Sequence, residues 1–519
     1  MRTLRLVGFT LAALLVLSAC SDNLLDIENP NQQTSESFWS NADQAVQGVN
    51  AAYEPLTYDG MYNRMVHAAQ DIRSDEAIAD SPFPPYTNAD QFSLPATSLM
   101  PTLIWDQSYQ GVYYSNQVIT NVPSIDMDEN LQNRILGEAR FLRSHYYFKL
   151  VKLFGYVPLL TEEVSDPGNV SRPQAEPDSV WNQIIQDLQF AKQNLPESYE
   201  TDVGRVTRGA ATAYLGKAYL FNERWEQADA QFKEIIDSGL YRLVDNPRWN
   251  GDLQHENNAE SIWEIQFSTE VGGDAVGFGG VPAPNWGEVQ WRSITFSPLG
   301  YGFSDVLPAQ SLFDEFKQEQ TVNGNDDPRL GATMFYNEPG ETVYGDDFQQ
   351  VYSGQIEAGE NPIYWRKYQR DTPGPEQFSG SGLNIRAMRY ADVLLMYAET
   401  RNELGDQATA AEYIQIVRDR ANLPDRESEF ASLSQQEMRD RIAIERKLEL
   451  AGEGKRFDDI RRWGWLDDPQ RLEMLQENDP AFDGFQQGRE LLPIPQSELD
   501  TNPAAQQTCG YGGPLGDCS

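Results

Sequence analysis

The stretch Ala210-Ala211-Thr212-Ala213-Tyr214-Leu215-Gly216-Lys217-Ala218-Tyr219-Leu220, followed after a short break by Ala228 and Phe232, decides the fold. Small residues at 216 and 228 alternate with large ones at 215, 219 and 232 at the spacing of a tetratricopeptide unit. Gly216 and Ala228 let two antiparallel helices approach closely, and Tyr219 and Phe232 fill the space between them. A weaker copy starts at Asp392, with Tyr397-Ala398, Ala410 and Ile414 at corresponding offsets, and a third helical run covers 436–450. Two such pairs with flanking helices predict a mainly α protein built on a tetratricopeptide-like helical-repeat scaffold.

Working outward, Ala42, Ala45, Val46, Val49, Ala52 and Tyr53 recur at three- and four-residue steps, which predicts an amphipathic helix. Further helices are expected over 105–122, over 129–154 with Gly155 and Pro158 ending it, and over 178–195 with Asp178 as cap and Pro196 as stop. Residues 57–104 are rich in Pro, Ser, Asp and aromatics and read as loops. Over 243–385 the helical period is lost, Gly, Pro and aromatic residues are dense, and Ile262-Trp263-Glu264-Ile265-Gln266-Phe267 alternates in part like a strand. This is a large irregular, loop-rich insertion, and binding residues concentrate on such loops. The expected division is a leader over 1–19, a helical region over 20–242, and the insertion with a second helical region over 243–519. The last two are expected to form one compact unit.

The leader sets the compartment. Arg2 and Arg5 precede an apolar run over 6–17, and Leu17-Ser18-Ala19-Cys20 follows. A charged start, a short apolar run and small residues form a secretory signal. About twenty apolar residues are needed to span a bilayer, and this run is shorter. Leu-Ser-Ala-Cys resembles the lipobox of bacterial lipoproteins, which implies cleavage before Cys20 and acylation of its thiol. Of the three cysteines, Cys509 and Cys518 then remain, an even pair outside the cytoplasm that can close a small glycine-rich loop. Two free thiols are the alternative.

The formal net charge is -39, from 40 basic and 79 acidic residues. Such a field repels nucleic acid and anionic membrane surfaces, so neither is expected as a partner. Acid excess with scarce lysine suits solubility in high salt; a merely acidic extracellular protein is the other reading. Acids are interleaved with aromatics along the chain, which predicts a folded protein rather than a disordered one.

Catalytic patterns are missing from the sequence. Only His67, His145 and His255 exist, and no His-Glu-x-x-His or Cys/His cluster is present, so neither a metal site nor a cofactor is expected. No Gly-x-Ser-x-Gly elbow or complete phosphate loop occurs. With 79 acids, a carboxylate pair for glycoside cleavage carries no information.

Several segments, in order and over nearly the whole mature chain, resemble the SusD/RagB family of nutrient-binding outer-membrane lipoproteins. They include Leu24-Leu25-Asp26, Phe38-Trp39, Gly137-Glu138-Ala139-Arg140-Phe141-Leu142-Arg143, Phe154-Gly155-Tyr156-Val157-Pro158 and Gly204-Arg205-Val206-Thr207. Towards the end stand Arg389-Tyr390-Ala391-Asp392, Glu445-Arg446, Glu449-Leu450, Glu453, Arg456-Phe457-Asp458-Asp459 and Leu492-Pro493-Ile494-Pro495. Gln507-Thr508-Cys509-Gly510-Tyr511 departs from the family's usual Gln-Asn-Pro-Gly-Tyr, and a disulfide would replace the lost proline rigidity. The resemblance implies a non-enzymatic, surface-exposed protein that captures oligosaccharide or a similar nutrient for a SusC-like TonB-dependent transporter. It also implies that the charged signature supports the fold while variable loops hold the ligand. A scaffold binding only proteins and a surface glycoside hydrolase are the alternatives. Candidate ligand contacts are Asp71, Asp75, Tyr86 and Phe92 in the early loop, and Trp286, Trp291 and Tyr301 in the insertion. Asn285-Trp286-Gly287 sets a large ring between turn formers.

Overall fold

The computed structural model describes residues 38–164, 171–270, 289–369, 371 and 380–518. The helices used below, numbered among themselves, are α1 (Ala42–Tyr53), α2 (Leu99–Asn121), α3 (Glu129–Phe154), α4 (Pro177–Asn194), α5 (Arg208–Phe221), α6 (Trp225–Asp237), α7 (Tyr390–Glu403), α8 (Gln407–Arg420), α9 (Gln435–Leu450) and α10 (Arg456–Arg462). The mainly α architecture read from the sequence is the one observed. Local chemistry sets the ends. Asn41, Asp128 and Thr207 accept backbone N–H groups at the starts of α1, α3 and α5. Ser434 and Glu437 form a reciprocal capping box on α9. Gly155, at φ 71°, turns the chain out of α3.

Two starts differ from expectation. Helix α2 begins at Leu99, not near 105, because Pro101 sits in its first turn, where a missing N–H is harmless. Helix α4 begins at Pro177 after Glu176, and no side chain caps it. The early loops also contain the short helices Met65–Asp71 and Pro84–Asp90.

Helices α2 to α6 pack each on the next, and α6 packs on α7, which packs on α8 and α9. At the α5–α6 contact a Cβ on Gly216 would come within 2.6 Å of the Phe232 ring, so only glycine permits this approach. The α7–α8 pair buries Ala398, Ala410 and Ile414, and Tyr397 meets Tyr413 edge-on at 4.8 Å. The largest core cluster runs from Ala52 to Ile494 and draws on both sides of residue 242.

The insertion contributes short antiparallel pairings. We label the strands used below β1 (Ala77–Ala79), β2 (Ser261–Ile265), β3 (Val306–Pro308) and β4 (Ile385–Arg389). β1 pairs with β3, and β2 with β4. The strand expected at 262–267 is therefore β2, which starts one residue earlier and ends two residues earlier.

The charged signature lies inside. Arg389 donates to Glu260 at 2.7 Å, Glu449 at 2.6 Å and Glu453 at 2.9 Å. Arg446 joins Asp459 and Asp392 at 2.7 and 3.0 Å, and Arg143 holds Asp187 through two bonds. Burial alone would raise the Glu453 carboxyl, but Arg389 and Lys367 more than offset it and hold it near 2. The contacts of Arg389 with Glu453, Arg446 with Asp459 and Arg143 with Asp187 are bidentate, and together these pairs tie helices, strand and connecting segments to one another.

Candidate ligand-binding face

The early loop and the insertion are brought together by β1–β3, whose register sets Ala77 opposite Pro308 and Ala79 opposite Val306. The pairing continues beyond the strands. The Asp80 N–H donates to the Asp305 carbonyl at 3.0 Å, and the Ser81 hydroxyl donates to the Asp305 carboxylate at 2.6 Å. Asn63 clamps the base of the insertion: its Nδ2 donates to the Val289 carbonyl at 3.0 Å, and its Oδ1 accepts from the Trp291 N–H at 2.8 Å. Gln290 bridges Ser381 in antiparallel fashion. The result is an anchored face made of residues 77–84 and 294–305.

Its tip is a tight loop. A Cβ on Gly302 would collide with Ser297 Oγ and the Ile294 carbonyl, and Gly300 sits at φ 93°. This geometry exposes Leu299 and Phe303, at 52% and 44% of their full area. On the early-loop side of the face Phe83 is half-buried, edge-on to Tyr86 at 5.0 Å. An exposed apolar ring on a face that also carries exposed polar groups such as Asp80 can stack on a flat apolar ligand surface while polar groups bond its rim.

The candidates read from the sequence fall in different places. Tyr301 is 7% exposed, stacks on Tyr344 at 4.9 Å and donates its hydroxyl to Asp346 at 2.7 Å. Trp291 is 5% exposed and packs with Val289 and Ile294. Both lie just behind the tip and support it. Trp286 lies outside the described residues. The four early-loop residues are interior. Tyr86 is fully buried, and Phe92 packs against Phe457, Phe482 and Phe485. Asp71 accepts the Gly454 N–H at 2.7 Å and lies 3.5 Å from Arg292. Asp75 accepts from Lys447, Arg456 and Asn478 at 2.9, 2.7 and 3.1 Å. Burial would raise the Asp75 carboxyl, yet Arg456 and Lys447 hold it well below the usual range. These four therefore tie the loop to the scaffold, and the residues that reach solvent are their neighbours. Phe303 is a candidate that the structure adds; Gly300-Tyr301-Gly302-Phe303-Ser304 carries the signal of an aromatic at a glycine-rich turn.

Glu76, next to Asp75, gives a pH test. Burial, aided by Asp71, pushes its carboxyl up to about 8. The folded state then keeps a proton that the unfolded chain has lost, so this group's contribution to stability falls as pH rises from about 4.5 towards 8. Glu76→Gln is expected to match wild type at pH 5 and to gain on the order of 1–3 kcal/mol at pH 8. Denaturant titrations at the two pH values measure this; an unchanged pH slope contradicts it.

Among the described residues no group of three or more His, Cys, Asp or Glu is placed to hold a metal ion. None of the described helices is long and apolar enough to cross a membrane. Cys509 and Cys518 are joined by a disulfide, beside a bridge between Thr508 and Leu515; Cys20 lies outside the described residues.

A helical-repeat scaffold with an ion-paired interior carries, on one side, a loop-built face with exposed apolar side chains. The comparisons agree with this class. Residues 259–511 match the SusD family, and residues 23–220 match a family described as starch-binding and associating with the outer membrane. A SusD-like protein of Formosa agariphila is 29% identical over 422 residues, covering 77% of each chain. Among solved structures, a SusD superfamily protein of Bacteroides vulgatus superimposes with a TM-score of 0.80 at 28% identity, covering 91% of this chain and all of the other. A laminarin-binding SusD-like protein is 30% identical, with a TM-score of 0.72 and the same coverage. The chain belongs to the SusD family.

Proposed function

We propose that this protein is an outer-membrane, surface-exposed lipoprotein, anchored through Cys20, that captures a neutral oligosaccharide and hands it intact to a SusC-like TonB-dependent transporter. The observation that carries the reading is the full-length likeness, at 30% identity, to a protein that binds laminarin. The exposed tip at Leu299 and Phe303 supplies the kind of surface such a ligand needs, because pyranose rings present flat apolar faces edged with hydroxyls. Catalysis is not required of this chain: its role is binding and release. Several acyl chains on Cys20, at about 0.8 kcal/mol per buried methylene, would hold it firmly on the bilayer.

The test uses Phe303→Ala, Trp291→Ala and Tyr301→Ala with laminari-oligosaccharides in calorimetry, alongside melts. Phe303→Ala is expected to weaken binding by about 1–3 kcal/mol, the size of a lost stacking ring, with the melt unchanged. Trp291→Ala and Tyr301→Ala should weaken binding and lower the melting temperature together, because their rings support the tip. Wild-type affinity in all three removes this face from the account. Intact mass of membrane-extracted protein tests the anchor: a mature N-terminus other than acylated Cys20 rules it out.

A further inference from the structure

A second cleft lies on the helical side of the molecule and shares no residue with the loop face. It encloses about 520 Å³, within the range of small-molecule pockets, roughly 300–1,000 Å³. Phe221 and Trp225 line it from the α5–α6 pair, and Trp463 and Trp465 from the segment after α10. Glu403 of α7 and Arg439 and Asp440 of α9 supply polar walls.

The polar groups are held still by one another. Arg439 clasps Glu403 through two bonds at 2.7 and 2.6 Å. Arg471 pairs with Asp440 and lies over the Trp465 ring at 5.0 Å. Glu399 accepts from Trp463 Nε1 at 2.8 Å and from both terminal nitrogens of Arg462. Arg462 in turn lies 4.8 Å from the Trp463 ring centre. Each carboxylate has about four acceptor sites and each guanidinium five N–H groups, so these pairs leave donors and acceptors over for a ligand. Their geometry is fixed beforehand, which lowers the ordering entropy that binding must overcome.

Charge selects the ligand class. Glu223, Glu399, Glu403, Asp440 and Asp468 line the cleft against three arginines, 439, 462 and 471. A uronic or sulfated sugar would meet an excess of carboxylates, and Glu399, Glu403 and Asp440 are each already engaged by an arginine. Aromatic walls beside rigid, ion-paired polar groups fit a neutral ring bearing hydroxyls.

We infer that this cleft is a second saccharide site, taking one or two neutral sugar units independently of the loop face. The inference rests on the glycan-capture reading but is separable from it. The test is fluorine NMR of the 5-fluorotryptophan-labelled protein, with the Trp225 and Trp463 signals assigned by substitution. The probes are laminaritriose, cellotriose and xylotriose, with a trimeric uronate as the charged control. At least one neutral trisaccharide should shift both signals saturably, and the uronate should not. Gln436→Trp, which fills the cleft from the exposed start of α9 without removing a core group, should weaken that response at least tenfold. It should leave the calorimetric binding that depends on Phe303 unchanged. If all three neutral probes leave both signals in place, or if only the uronate moves them, the cleft is not a sugar site, whatever Phe303→Ala shows at the loop face. Shifts that survive Gln436→Trp unchanged overturn it as well.

Discussion

Arg389→Ala is expected to cost about 3–5 kcal/mol of stability, the penalty for removing one partner of a buried charge network. Arg389 is almost fully buried and bonds Glu260, Glu449 and Glu453, so its loss takes one cation from three interior carboxylates at once. It also joins parts of the chain far apart in sequence: Glu260 precedes β2, Arg389 ends β4, and Glu449 and Glu453 lie at and just beyond the end of α9. The denaturation midpoint of Arg389→Ala measures the effect, with Lys233→Ala, an exposed pair with Asp237, as a control expected to show little. Acid should reveal the same network. Glu445 and Glu453 are held near 2 against an ordinary value of 4.5, so their contribution is complete above about pH 4.5 and is lost as pH falls towards 2. If Arg389→Ala melts like wild type, the signature charges do not hold the fold.

Gly216→Leu is expected to destabilise by about 3 kcal/mol, at the upper end of the usual range for overpacking, because no rotamer escapes the Phe232 ring. Even the first added carbon would lie 2.6 Å from Phe232 Cε1 and 3.1 Å from Gln231 Cβ. Gly216→Ala should show a smaller loss. Adding Phe232→Ala to Gly216→Leu should recover part of the deficit, since the two substitutions share one space and will not be additive. Thermal melts of the four proteins provide the cycle. Additive losses would mean that Gly216 does not set the α5–α6 distance.

The helix pairs were legible because their chemistry is local: a glycine and an alanine at the crossing, with large residues one turn away. Helix starts were less so, since Pro101 and Pro177 look like stops until one sees them in first turns. The short helix Met65–Asp71 has too few residues to show a period. Asp71 and Asp75 looked like loop acids because their partners, Gly454, Lys447 and Arg456, lie more than 370 residues away. Nothing near them in sequence announces burial. At the candidate face the residues the sequence singles out and those that reach solvent are neighbours. The aromatic character of 291–303 was readable, but which ring faces solvent depends on the β1–β3 pairing and on the Tyr301–Tyr344 stack. The cleft at Trp463 was invisible for the same reason, since α5, α6, α7, α9 and α10 each supply part of it.

Capture without turnover is tested by calorimetric titration of the purified protein with laminarihexaose, followed by analysis of the recovered sugar. Saturable binding that weakens in Phe303→Ala is expected, with the hexaose recovered intact and no new reducing ends. Shorter sugars released in proportion to protein and time would contradict it and make the chain a hydrolase.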